Sequence, residues 1–188
     1  MDWPNDEQVP NRYKSMLGLM RGETGTRSSL LDLGCGAGLI VDYLESTGLI
    51  GNVEYYGLDI SSAMIETAAR LHAGYSFECR DILRKPLDEK SFDYVIMNGL
   101  LTERVTLTYC DMERFAMEMV SAAFAACRKG IAFNVMNTHV DWCRTDLFHW
   151  PLDRAAEFLV RSCSRHLVFK MDYGLYEYTI YCYRETTL

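Results

Sequence analysis

Leu30-Leu31-Asp32-Leu33-Gly34-Cys35-Gly36-Ala37-Gly38-Leu39-Ile40 opens as an apolar run, reaches an acid, passes three glycines at alternate positions and re-enters apolar sequence. Leu30, Leu31 and Leu33 read as a buried parallel strand. Gly34, Gly36 and Gly38 permit unusual backbone angles and let a ligand approach the main chain. The helix that follows aims its first N–H groups at whatever sits in the turn. A dinucleotide-binding turn spaces its last two glycines one residue wider.

The pattern repeats downstream. Leu39, Ile40, Tyr43 and Leu44 form one helix face, closed by Gly48 to Gly51. Val53 to Ile60 is a second strand carrying Asp59 near its end, and Ser61 or Ser62 caps a helix with Met64, Ile65, Ala68 and Leu71 on its apolar face. Tyr75 to Cys79 and Phe92 to Asn98 are further strands. Short βα links of this kind specify a parallel sheet covered by helices. Asp111 is expected to cap a long helix running to Cys127, with Arg128 and Lys129 at its end, Gly130 just beyond and a fifth strand from Ile131 to Met136. Pro151 suits the first position of the next helix. His166 to Met171 and Tyr176 to Tyr183 are joined by four residues, too few for a crossover, so these strands are antiparallel. Upstream, Tyr13, Met16, Leu17 and Met20 predict a small helix ending near Gly22, with a loop to Thr26.

Composition narrows the partners. The chain has 188 residues, 49% of them hydrophobic, enough for one domain with its own core. We read residues 1–27 as a helical lead-in and 28–184 as that core. A net charge of -7 opposes a nucleic-acid backbone as main partner. Seven scattered cysteines without a C-x-x-C pair read as free thiols in a reducing compartment. The acidic N-terminus is no signal peptide, and no apolar run is long enough to span a membrane, so a cytoplasmic protein is expected. His139, Asp141, Cys143, Asp146 and His149 match no structural zinc spacing, so no metal is expected.

The acid-x-Gly-x-Gly-x-Gly turn resembles motif I of the class I, seven-stranded S-adenosylmethionine methyltransferases, and the terminal hairpin resembles the antiparallel end of their sheet. The likeness extends from Ser28 to Arg184. It implies a three-layer α/β sandwich, a mostly parallel seven-stranded sheet with an antiparallel C-terminal strand, and S-adenosylmethionine as cofactor with S-adenosylhomocysteine as product. By this resemblance Gly34, Cys35, Gly36 and Gly38 line the methionine part, and Asp32 holds the turn and reaches the amino group. Asp59 accepts from the ribose hydroxyls, Ile60 lies beside the adenine, and Asp81 and Ile82 meet its amino and ring nitrogens. Asn98 and Gly99 end the fourth strand where open α/β sheets bind ligands. There, DNA and some protein amide methyltransferases carry Asn-Pro-Pro-aromatic; Asn98-Gly99-Leu100-Leu101 departs from it. In related enzymes a segment like the lead-in helix often lies over the cofactor.

Transfer from a sulfonium needs mainly positioning and desolvation, and a hydroxyl acceptor also needs a base. His139 is the candidate base, with Glu103, Tyr109 and His149 lining the acceptor pocket. Asp172 to Thr179 is similar to the tail of small stand-alone bacterial methyltransferases associated with polysaccharide or secondary-metabolite pathways. The reading is therefore a methyltransferase acting on a small molecule such as a sugar or secondary metabolite, without nucleic acid or membrane, as monomer or homodimer. Its rivals are a noncatalytic cofactor-binding subunit, a protein or RNA methyltransferase, and a nicotinamide oxidoreductase.

Overall fold

The computed structural model describes residues 8–20 and 27–186. In chain order its elements are α1 (Val9–Leu17), β1 (Ser28–Leu33), α2 (Ile40–Ser46), β2 (Val53–Asp59), α3 (Ser62–Leu71), β3 (Ser76–Cys79) and β4 (Phe92–Met97). There follow α4 (Tyr109–Ala126), β5 (Cys127–Met136), α5 (Leu152–Ser162), β6 (His166–Lys170) and β7 (Glu177–Tyr183). The strands form one seven-stranded sheet in the order β3-β2-β1-β4-β5-β7-β6. The pairs among β1 to β5 are parallel, and β7 runs antiparallel to both β5 and β6. This is the Rossmann-like sheet that the glycine turn and the terminal hairpin predict.

Alternate side chains feed two cores. Leu31, Val95, Ile131, Phe133, Tyr178 and Ile180 meet Met112, Ala116 and Val120 of α4 and Leu159 of α5. Leu30, Tyr94, Ile96, Ala132, Tyr181 and Tyr183 meet Tyr13, Met16 and Leu17 of α1 and Val41 and Leu44 of α2. The sheet is thus the middle of three layers, and removal of its apolar faces from water is the main driving force for the assembly. The tyrosines of β7 belong to these cores, and backbone carbonyls satisfy their hydroxyls: Tyr178 donates to Trp150 (2.7 Å), Tyr183 to Leu19 (3.0 Å) and Tyr181 to Ser15.

Several boundaries differ from expectation. Thr108, not Asp111, caps α4: its hydroxyl accepts from the Asp111 N–H (3.2 Å) and donates to the Asp111 carboxylate (2.6 Å). The pair satisfies a helix-end donor much as a capping box does. At the other end α4 stops at Ala126, and Cys127, Arg128, Lys129 and Gly130 belong to β5. Arg128 is drawn off the helix by Asp93 (2.9 Å) and the Ser29 hydroxyl (2.8 Å). Gly130 is needed for close approach: a Cβ there would lie 3.0 Å from Tyr183 and 3.1 Å from the Cys182 carbonyl. Pro151 precedes α5 as its N-cap residue. Ser61 caps α3, its hydroxyl accepting from the Met64 N–H. Gly22 and the loop to Thr26 lie outside the described residues.

Candidate functional site

The carboxyl ends of β1, β2 and β4 stand side by side, since Asp32 pairs with Gly57 and with Ile96 across the parallel ladder. The segments that follow these strands surround a cavity of about 330 Å³. Asp32, Gly34, Cys35, Gly36 and Ala37 line it together with the apolar Leu39, Ile40 and Met64 and with Asp59 and Asn98. Tyr13 brings α1 into the lining as well. A larger, more open groove of about 670 Å³ runs past Asp42, Glu45, His72 and Tyr75, but it contains neither the glycine turn nor Asp59.

Gly34, Gly36 and Gly38 all have positive φ (80°, 54° and 76°), which lets the turn fold back tightly. The turn also consumes its own donors. The N–H groups of Gly34 and Cys35 donate to the Leu58 carbonyl (2.7 and 3.0 Å), that of Gly36 to Asp59 Oδ2 (2.9 Å) and that of Gly38 to the Cys35 carbonyl (2.9 Å). What Gly34, Cys35 and Gly36 offer a ligand is therefore shape and carbonyl oxygens. Gly38 is set below them, where a Cβ would meet Phe77 (3.0 Å) and His72 (3.1 Å).

Two carboxylates frame the cavity. Asp59 accepts from Gly36 through Oδ2 and from the Ser61 N–H through Oδ1 (2.8 Å), tying the glycine turn to the start of α3. Each oxygen keeps a second acceptor direction for a ligand hydroxyl. Asp32 is buried, and among the described residues the Tyr55 hydroxyl donates to its Oδ2 at 3.0 Å. Burial pushes the Asp32 carboxyl up to about 7; the Tyr55 hydrogen bond opposes the shift and the Asp59 charge adds to it. Burial also raises the Cys35 thiol far above its usual range, so it is a packing group and no nucleophile.

Asp32, Gly34, Cys35, Gly36, Asp59 and Asn98 line this cavity, and each of the other expected residues has its own surroundings. Ile60 follows Asp59 and is 71% exposed. Asp81 accepts from the Leu83 and Arg84 N–H groups (3.0 and 3.4 Å) and pairs with Arg84, while Ile82 is buried in the core. The Gly99 N–H donates to Asn134 Oδ1 (2.7 Å). His139 is exposed on the loop after β5, its backbone N–H bonded to Asn137 Oδ1 (2.9 Å). Glu103 is exposed and bridges to Leu147, and the Tyr109 ring packs 5.5 Å from Phe148. His149 staples its loop: Nδ1 faces the Asn137 carbonyl (2.7 Å) and must donate, while Nε2 accepts from the Arg144 N–H (3.2 Å). These bonds occupy both ring nitrogens. Among the described residues no group of three or more His, Cys, Asp or Glu is arranged to hold a metal.

Sequence reasoning missed Tyr55 and the cavity-facing role of Tyr13. Tyr55 lies 23 residues from Asp32, and only the parallel register brings them together. Helical spacing showed Tyr13 to be on the packed face of α1 without showing that this face reaches a ligand.

Comparison with known proteins agrees with this geometry. A family described as a methyltransferase domain matches residues 30–130. A Mycobacterium tuberculosis protein, Rv1506c, which carries a provisional methyltransferase name, is 29% identical over 157 residues, covering 81% of this chain and 90% of its own. Among solved structures, magnesium protoporphyrin IX methyltransferase from Synechocystis, with bound S-adenosylmethionine, superposes with a TM-score of 0.66 at 14% identity, over 95% of this chain and 81% of that one. The PH0226 protein of Pyrococcus horikoshii gives 0.64 at 18%, over 95% and 92%. With its glycine turn, its strand order and its match to the family over more than half its length, the chain belongs to the class I S-adenosylmethionine-dependent methyltransferases.

Proposed function

We propose that this protein transfers a methyl group from S-adenosylmethionine to a small-molecule acceptor, and that the cavity under Tyr13 holds the cofactor. The observation that carries the reading is what the cavity lacks. Among the described residues, buried Asp32 has no cation paired with it and buried Asn98 Oδ1 has no hydrogen-bond donor, while Leu39 and Met64 stay largely exposed. A molecule with an ammonium group, ribose hydroxyls and a flat apolar base supplies all three. The residues fit the cofactor.

When bound, the cofactor supplies a methyl group already activated on a sulfonium. The chain's part is to position and to exclude water. Asp59 accepts from the ribose hydroxyls, the glycine turn shapes the methionine end, and α1 covers the site through Tyr13. The acceptor then approaches over the end of β4. Two loops wall that edge: Arg104 N–H donates to the Asp146 carbonyl (2.9 Å) and Phe148 N–H to the Thr102 carbonyl (2.8 Å). A net charge of -7 supports a small acceptor over a nucleic acid. Free cysteines support a cytoplasmic setting, and no helix among the described residues is long and apolar enough to cross a membrane.

Calorimetric titration with S-adenosylmethionine, S-adenosylhomocysteine and NADH tests the cofactor assignment. The first two should bind at micromolar concentration and lose about tenfold or more in Asp59→Ala, as expected when a partly buried charged acceptor is removed. Binding of NADH alone would overturn it. Mass spectrometry of small-molecule pools treated with enzyme and cofactor then seeks the methylated product, and salt-sensitive RNA binding would redirect the acceptor class.

A further inference from the structure

We propose that Cys163 and Cys182 are a dithiol that hydrogen peroxide oxidises to a disulfide, a modification site outside the cofactor cavity that joins the end of α5 to β7. The proposal stands whichever cofactor the cavity holds.

Topology brings these two thiols together. Cys163 ends α5, its N–H donating to the Leu159 carbonyl (2.8 Å), and only Ser164 and Arg165 separate it from β6. β6 then pairs with β7 so that Leu167 lies opposite Cys182. So short a link returns the end of α5 to the flank of Cys182. Cys127 and Cys182 belong to the core between the sheet and α4 and α5, and Cys163 packs against it. The Cys163 and Cys182 thiols are hydrogen-bonded to each other, and both cysteines are free. Sequence showed seven scattered cysteines; the fold gathers three of them.

The surroundings divide the roles. Cys163 is half-buried, whereas Cys127 and Cys182 are buried, so a small oxidant reaches Cys163 first. The hydrogen bond with Cys182 holds the Cys163 thiol below its ordinary range, and the Arg184 charge helps against the opposing effect of burial. That same hydrogen bond, with burial, pushes the Cys182 thiol up. Arg184 is fixed in place: its guanidinium donates to the Cys127 carbonyl (2.8 Å) and the Phe124 carbonyl (2.7 Å). The Cys127 thiol donates to the Phe124 carbonyl (3.3 Å), which leaves Cys182 as the partner for Cys163. Cys163 thus supplies the attacking thiolate and Cys182 the resolving thiol.

The step balances. The Cys163 sulfur attacks one peroxide oxygen, the O–O bond breaks, and the departing oxygen leaves as water with the thiol proton. The sulfur is now a sulfenic acid. The Cys182 sulfur attacks it, the S–O bond breaks, and the hydroxyl leaves as a second water with the Cys182 proton. Two thiols give up two electrons, and one peroxide is reduced by them.

The experiment treats the full folded chain with hydrogen peroxide, alkylates the remaining thiols in denaturant and maps tryptic peptides by mass spectrometry without reduction. We expect a species joining residues 162–165 to 171–184, short of two hydrogens, with both cysteines lost from the alkylated pool and restored by dithiothreitol. Cys163→Ser should abolish that species. Cys182→Ser should halt at the Cys163 sulfenic acid, trapped as its dimedone adduct. The wild-type map decides the pairing even where a variant fails to fold. Recovery of Cys163 and Cys182 as alkylated thiols, while exposed Cys79, Cys110 and Cys143 are oxidised, would overturn the proposal. So would a link from Cys163 to Cys127, or links between chains only.

Discussion

Asp32 sits where folding and binding make opposite demands. Its carboxyl is held up to about 7 in the folded chain, against the ordinary carboxylate range when unfolded. The folded state therefore binds the extra proton, and the stability this confers is complete at low pH and lost as pH rises through 7. Asp32→Asn should flatten this dependence and stabilise the ligand-free protein near pH 8 by about 1–3 kcal/mol, while removing cofactor affinity. Urea denaturation near pH 5 and pH 8 measures the difference. At this scale sequence showed the acids and not their partners. Asp32 and Asp59 stood out because each ends an apolar run. Tyr55 did not, because its hydroxyl reaches Asp32 across a strand pair. His149, read as lining the acceptor pocket, gave no sign in the sequence of its two partners because both are backbone atoms, which carry no residue identity.

The element that completes the site is α1, and it is latched to β7. Arg12 pairs with Glu177, both buried, and the Ser15 hydroxyl donates to Thr179 Oγ1 at 2.9 Å. Breaking a buried pair strands its partner. Arg12→Met and Glu177→Leu should each cost about 3–5 kcal/mol alone, whereas the two together should recover most of it. Chemical denaturation of the wild type, both single variants and the double variant closes the cycle. The single variants should also weaken cofactor binding, because Tyr13 follows Arg12 on the same helix turn. Strand and helix identities were legible from periodicity in nearly every element, since each apolar face is local. The junction of α4 and β5 was not. Ala122 to Gly130 reads equally well as a helix end with basic residues and a glycine stop. Asp93 and Ser29, more than thirty residues away in sequence, make Arg128 a strand residue.

For the whole molecule, the cofactor should act as a structural component. The cavity draws its walls from β1, β2, β4, α1, α2 and α3, so a ligand there bonds to much of the fold at once. S-adenosylhomocysteine at a hundredfold excess over its Kd should add about 2.7 kcal/mol. For a chain of this size that raises Tm by about 5–10 °C in a thermal melt. The overall architecture was the most legible level, because four residues between two strands leave only a hairpin. The position of that hairpin has a consequence for biosynthesis. β7 is made after β5 and β6, yet it lies between them in the sheet. Until Glu177 to Tyr183 emerges, the nascent chain holds a slot with an unpaired β5 on one side, bearing Phe133 and Val135, and no partner for β6 on the other. Open strand edges of this kind invite pairing with other chains. The sheet is thus completed out of chain order, and β7 acts as its keystone.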